Sequence, residues 1–230
     1  MKTDQATGLL ARTGLFGELD ENARRRLAEV AIERNYKKGQ LVFYQGDLGE
    51  SLFIVAEGSV KVFVTSEDGD EMVLVTLGAG DIFGELAVID GGPRSASAET
   101  LEATKLLALT RTTLLQVMHE HPAITDSLLH TLGGVVRRLT EQASDLVFLD
   151  LHGRVAKLLV SFTDSRGVDQ HGETILDLRL TQTDLAAMVG GSRQSVNQIL
   201  RLFERRGLVE LRGRKIVVKE LDQLRRRAGL

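Results

Sequence analysis

The chain has 230 residues, 43% hydrophobic and 27% charged, with a net charge of -3, which allows one large or two small domains, each with a core of its own. It contains no cysteine, so disulfides, thiolate zinc sites and cysteine-ligated iron–sulfur clusters are excluded. No run approaches the roughly 20 apolar residues of a membrane span, and MKTDQATGLL lacks the apolar stretch of a secretion signal, so no membrane partner is expected and the cytoplasm is the expected location.

Charge is unevenly divided. Residues 1–149 carry 14 Lys and Arg against 22 Asp and Glu, whereas residues 150–230 carry 15 against 10. The C-terminal third is therefore the part expected to meet a polyanion.

In chain order, a short helical start comes first, with Asp20 as N-cap of ENARRRLAEVA. From about Glu33 to Thr110 the period changes. Short β-branched and aromatic runs (LVFY, SLFIVAE, SVKVFVT, EMVLVTL, TKLLALT) alternate with turn signals at KKG, QGDLG, EGS, EDGD and LGAGD, the pattern of a small antiparallel barrel or roll. A helical pattern resumes at Arg111, breaks near Pro122 and runs on to about Phe148.

That last helix places Leu128, Leu132, Val135, Leu139, Gln142, Leu146 and Leu149 at alternating spacings of four and three, a seam that wants a partner helix. The alternative is packing on its own barrel. From Leu151 follow a helix (HGRVAKLLVSFTDS), a polar loop (RGVDQHGE), a short strand (TILDLRL) and two helices. Thr181 and Asp184 form a capping box opening QTDLAAMV, Gly190-Gly191 makes the turn, Ser192 caps RQSVNQILRLFERR, and Gly207 ends it. This is a helix-turn-helix layout, with an ordinary helical hairpin as the alternative. LVELRGRKIVV then reads as a hairpin turning near Gly213, with three basic residues at its tip.

In such a winged motif the second helix enters the major groove. Arg193 suits guanine and Gln194 or Gln198 adenine, with Asn197 one turn on. Thr181, Gln182, Ser192 and Arg201 are placed to hold phosphates. The stretch FGELAVIDGGPRSASAE supports different chemistry. GELA begins a short helix directly after a strand, and Gly84 lets a ligand approach its free N–H groups. A Gly-Gly-Pro turn can fold Arg94 back over that end, where a guanidinium matches a phosphate and Ser95 adds a donor. Glu85 would repel a phosphate, so it is expected to accept from a sugar hydroxyl. The alternative is an exposed loop arginine paired with Glu85 or Asp90.

His119-Glu120-His121 reads as a solvated helix end rather than a metal site, because residues two apart do not share a helix face. No G-x-S-x-G elbow, P-loop or HExxH is present, so no enzyme is expected.

From about Gly14 to the C-terminus the chain resembles the cyclic AMP receptor protein family of bacterial transcription regulators. GSVKVFVTSEDGDEMVLVTL resembles its β-roll hairpin, FGELAVIDGGPRSA its phosphate-binding cassette, FLDLHGRVAKLL its hinge and first DNA-domain helix, and LTQTDLAAMVGGSRQSVNQILRLFERRGLV its DNA-binding motif. The resemblance implies an α+β fold. An N-terminal antiparallel β-roll of the cyclic-nucleotide-binding type would occupy residues 1–122, a dimerisation helix 123–149, and a winged helix-turn-helix 150–230.

It further implies a homodimer on palindromic double-stranded DNA, with cyclic AMP as effector, no metal, and RNA polymerase as partner if the protein activates. Residue by residue, Gly84, Glu85, Leu86, Arg94, Ser95 and Ala96 match the cassette, with Glu85 toward the ribose 2′-OH and Arg94 and Ser95 toward the cyclic phosphate. Val62 and Leu77 match apolar walls. The family's two base-contacting residues fall on Leu139 and Thr140, and Leu139 departs from the usual threonine, which leaves open a regulator that is nucleotide-independent or senses another effector. In the recognition helix, Arg193-Gln194-Ser195-Val196-Asn197-Gln198 stands where the family pattern reads Arg-Glu-Thr-Val-Gly-Arg. An altered inner base preference is expected.

Overall fold

The computed structural model describes residues 1–170, 173–177, 180–213 and 215–230. Two compact units emerge, one of residues 1–66 and 74–138, the other of residues 67–73 and 139–230.

The first unit opens with α1 (Thr3–Leu10) and α2 (Glu21–Val30). The Asp20 carboxylate caps α2, accepting from the Ala23 N–H at 2.8 Å. Strands β1 (Ile32–Tyr36), β2 (Leu41–Phe43), β3 (Ser51–Glu57), β4 (Val60–Thr65), β5 (Glu71–Leu77) and β6 (Ile82–Phe83) follow. Then come α3 (Glu85–Asp90), β7 (Ser97–Thr100), β8 (Thr104–Thr110) and α4 (Arg111–Glu120). The strands form two antiparallel sheets, ordered β1-β8-β3-β6 and β2-β7-β4-β5, which make the expected roll.

β3 explains why its run lacks clean alternation. Phe53 and Val55 point into the cluster between the sheets with Val60, Leu77, Phe83 and Ala98. Leu52 and Ile54 point the other way, into a cluster with Leu10, Phe16, Leu27, Leu114 and Ile124 from the helices. A strand buried on both faces reads as continuously apolar.

α5 (Ala123–Phe148) is the expected long helix, and the first part of the expected seam packs within the protomer. Leu128 is 3% exposed, and it and Leu132 pack into the helical core cluster of their own chain. One residue on from that seam, Leu129, Val136 and Val147 form a more open line, 61%, 62% and 75% exposed, while Leu139 and Leu146 of the seam itself are 45% and 44% exposed. One residue rotates a helical position by about 100°, enough to exchange a core-facing stripe for an open one.

In the second unit Asp150 caps α6 (Leu151–Arg166), accepting from Gly153 N–H at 2.7 Å. β9 (Val168–Gln170) occupies part of the segment expected as polar loop, and it pairs with β10 (Glu173–Asp177). Residues 171–172 of that loop and residues 178–179 of the expected strand lie outside the described residues. α7 (Gln182–Val189) and α8 (Arg193–Arg205) follow, then β11 (Val209–Arg212), β12 (Lys215–Val218) and α9 (Leu221–Arg227). These strands form a sheet ordered β11-β12-β10-β9.

Candidate nucleotide pocket and nucleic-acid interface

In the first unit, Gly84 adopts φ 75° and turns the chain from β6 into α3. The Gly-Gly-Pro turn returns Arg94 over that helix end, as expected. Arg94 Nη1 donates to the Gly84 carbonyl and Nη2 to the Ser51 carbonyl, each at 2.6 Å. A Cβ on Gly84 would sit 2.6 Å from Arg94 Nη1, and one on Gly49 would sit 2.3 Å from the Ala87 Cβ and 3.1 Å from the guanidinium carbon. Both glycines are therefore required by close approach.

Arg94 is 5% exposed. Its guanidinium lies 4.2 Å from the Phe43 ring centroid and 5.6 Å from that of Phe53, and Phe43, Phe53 and Phe83 pack together at 5.4–5.9 Å. Among the described residues it makes no ion pair, and its Nε has no hydrogen-bond partner. Burial lowers its basicity, opposed by the charges of Glu85 and Asp47. A desolvated cation without a carboxylate in direct contact is costly, and the arrangement can accept an anion. The exposed, ion-paired loop arginine does not describe this geometry.

Glu85, the first residue of α3, is 9% exposed. Burial pushes its carboxyl above the ordinary range, opposed by a backbone hydrogen bond and by the Arg94 and Arg138 charges. Ser95 is exposed, Ala96 is buried and Leu86 half-buried beside it in sequence. Leu77 and Val62 belong to the apolar cluster that holds Phe43, Phe53 and Phe83. Leu139, 45% exposed, and Thr140 lie on α5. Sequence reasoning missed Gly49, the Ser51 carbonyl and the Phe43–Phe53 platform. The second glycine of QGDLGES, Gly49, was the available signal.

His119 and Glu120 are exposed at the end of α4 and His121 is its C-cap. Among the described residues no group of three His, Cys, Asp or Glu could hold a metal.

In the second unit the helix-turn-helix has the expected caps. Thr181 and Asp184 form the capping box, Gly190 turns the chain at φ 63°, and Ser192 accepts from Ser195 N–H. Val196, Ile199, Leu200 and Phe203 are buried, as are Leu185, Ala186 and Val189 of α7. The other side of α8 leaves Arg193, Gln194, Gln198 and Arg201 exposed. The Thr181 hydroxyl is engaged with Asp184 and those of Ser192 and Ser195 with each other, at 2.6 and 2.8 Å. Asn197 Nδ2 donates to Gln182 Oε1 at 2.9 Å. Glu204 Oε1 accepts from Leu211 N–H at 3.0 Å, tying the wing to α8. Of the three basic tip residues Arg212 and Lys215 are described, and Arg214 lies outside the described residues.

This pairing of a roll with a winged motif agrees with comparisons to known proteins. Residues 33–121 match the family described as cyclic nucleotide-binding domain, and residues 153–227 the Crp-like helix-turn-helix domain. A CRP-like cAMP-activated global transcriptional regulator of Mycobacterium tuberculosis is 34% identical over 96% of this chain and 98% of its own length. The cyclic AMP receptor protein of Thermus thermophilus is 35% identical over 81% of this chain and 83% of its own. Among solved structures, the c-di-GMP responsive global regulator CLP of Xanthomonas campestris superposes with a TM-score of 0.77 at 26% identity, covering 86% of this chain and 99% of that one. The chain therefore belongs to the cyclic AMP receptor protein family of transcriptional regulators, with a cyclic nucleotide-binding β-roll and a DNA-binding Crp-like helix-turn-helix.

Proposed function

We propose that the protein is a cytoplasmic, homodimeric transcription regulator of three parts, residues 1–122, 123–149 and 150–230, whose roll binds cyclic AMP and thereby sets two recognition helices for a palindromic site. The observation that carries this reading is Arg94: a buried guanidinium without a carboxylate partner, held by two carbonyls and an aromatic face, with Nε unpartnered. A cyclic phosphate supplies one negative charge and two exocyclic oxygens, one of which can accept from the Arg94 Nε–H. Ser95 adds its exposed hydroxyl, Gly84, Leu86 and Ala96 line the approach, and ionised Glu85 accepts from the ribose 2′-OH. Val62 and Leu77 flank the apolar side, and Thr140 contacts the base.

The open line of Leu129, Val136 and Val147 on α5 supports pairing with a second copy, since parallel helices bury such a four-three stripe against each other. Arg193, Gln194, Ser195 and Gln198 face the bases from α8, on which Asn197 also sits, and Thr181, Gln182, Ser192 and Arg201 face the phosphates, with recognition helices about 34 Å apart in the dimer. RNA polymerase is the further partner if the protein activates.

One observation favours a second reading, an effector other than cyclic AMP. Leu139, with a purely apolar side chain, stands at a position where the family uses a threonine hydroxyl. Isothermal titration with cyclic AMP and cyclic GMP, with Arg94→Ala as control, separates the two. Heat with cyclic AMP that vanishes in the variant supports the first reading, and no heat with either nucleotide favours the second. Selection of binding sites from random DNA, with and without cyclic AMP, tests the DNA half and its coupling to ligand.

A further inference from the structure

The Asn197–Gln182 hydrogen bond gives a recognition-helix residue a different task from its neighbours, and the inference rests on the DNA-binding reading above. Asn197 sits one turn into α8, half-buried, beside fully buried Val196. Gln182 is the first residue of α7 and half-buried too. The two amides meet at 2.9 Å across the helix-turn-helix, Asn197 Nδ2 donating to Gln182 Oε1. By contrast Arg193, Gln194 and Gln198 are exposed on α8.

We infer that Asn197 is a positioning residue that reads no base: its amide pins the Gln182 carbonyl oxygen and thereby turns the Gln182 NH2 outward as a donor to a DNA phosphate. A primary amide has one acceptor end and one donor end in a plane. With Oε1 committed to Asn197, the donor end points away from the pair. The surroundings favour that orientation, because Gln182 opens a helix whose N-terminal end is positive and attracts an anion, and because Thr181 and Ser192 have spent their hydroxyls on capping. Without Asn197 the Gln182 side chain is free to rotate, and its donor must be ordered at the moment of binding.

The same arrangement bears on specificity. A phosphate contact fixes register without reporting sequence, so base discrimination falls to Arg193, Gln194 and Gln198. Asn197 then affects every site equally.

The test is a double-mutant cycle on the full chain with Asn197→Ala, Gln182→Ala and both, measuring affinity for the selected palindrome, for each single-base variant of it and for random DNA. Circular dichroism melts check that each variant is folded. Each single substitution is expected to weaken binding about fivefold to specific and random DNA alike, with an unchanged ranking of base variants, and the double variant is expected to be no weaker than the weaker single. A change of preference at one base pair in Asn197→Ala, or losses that multiply, would overturn the inference and return Asn197 to base reading or to an independent contact. Failure of the unaltered chain to select any sequence would overturn the DNA-binding reading, and the inference with it.

Discussion

The Arg94 guanidinium stacks on the Phe43 ring at 4.2 Å, while its two terminal nitrogens are held by the carbonyls of Gly84 and Ser51. Three directions are thus fixed, and Nε remains for a ligand. An aromatic face is worth about 0.5–2 kcal/mol to a cation, more as the pair is desolvated. Phe43→Leu keeps the apolar volume and removes the π face, so nucleotide affinity is expected to fall several-fold while the fold survives. Arg94→Leu removes two hydrogen bonds and a desolvated charge together, effects of opposite sign. Its ligand-free melting midpoint is therefore expected to move less than the rise that saturating cyclic AMP induces in the unaltered protein, and that rise is lost. At 100 times Kd the rise corresponds to about 2.7 kcal/mol, and differential scanning calorimetry resolves it.

Gly84 connects backbone conformation to the same site. Its φ of 75° is one that L side chains rarely adopt, and a Cβ would sit 2.6 Å from Arg94 Nη1. Gly84→Ala is expected to cost about 1–2 kcal/mol from the left-handed conformation and, beyond that, to push the guanidinium off the Gly84 carbonyl. Gly39 serves as control, with φ 74° and nothing within 4 Å of the point where a Cβ would lie. Urea denaturation should show both alanine variants destabilised, and calorimetric titration should show nucleotide binding lost only in Gly84→Ala.

For Glu85 the pH dependence has a definite sign. Burial raises its pKa on folding above the ordinary 4.5, so the folded state favours the protonated carboxyl. That contribution is complete below 4.5 and is lost as pH rises through the elevated folded value. Glu85→Gln is uncharged throughout. The stability difference between Glu85→Gln and the unaltered ligand-free protein is therefore expected to widen in favour of the variant from mildly acidic to neutral pH, while nucleotide affinity is expected to fall because the acceptor proposed for the ribose hydroxyl has lost its charge. Urea midpoints at a series of pH values check the first part, and a flat difference would contradict it.

Much of this was legible in one dimension, for identifiable reasons. The short helix after β6, the turn that returns Arg94, the Thr181 capping box, the Ser192 cap and the wing at Gly213 each depend on a residue type that only a few conformations accommodate. What stayed hidden depends on groups without a sequence signature. The carbonyls of Ser51 and Gly84 belong to the backbone, and Phe43 meets Arg94 across a sequence separation that no local pattern reports. The inward packing of Leu128 and Leu132 on α5 stayed hidden for another reason. Ile124, Leu128 and Leu132 continue the helical stripe that meets Leu114 in the core, and periodicity alone does not say which of two adjacent stripes faces the chain's own interior.

That inward packing decides which substitution tests dimerisation. Leu132 is partly buried against its own core, so Leu132→Asp would set a charge against that core and destabilise the protomer, whatever the oligomeric state. Val136 is 62% exposed and lies on the open line, so Val136→Asp leaves the protomer's core intact and sets two like charges against each other only where two helices pair. Sedimentation velocity is expected to give a dimer for the unaltered chain and a folded monomer for Val136→Asp. The thermodynamic counterpart follows from mass action: the melting midpoint of a dimer rises with protein concentration, and that dependence should vanish in Val136→Asp. A variant that still sediments as a dimer would place the interface on another face of the protein, and with it the surface that brings two recognition helices onto one palindrome.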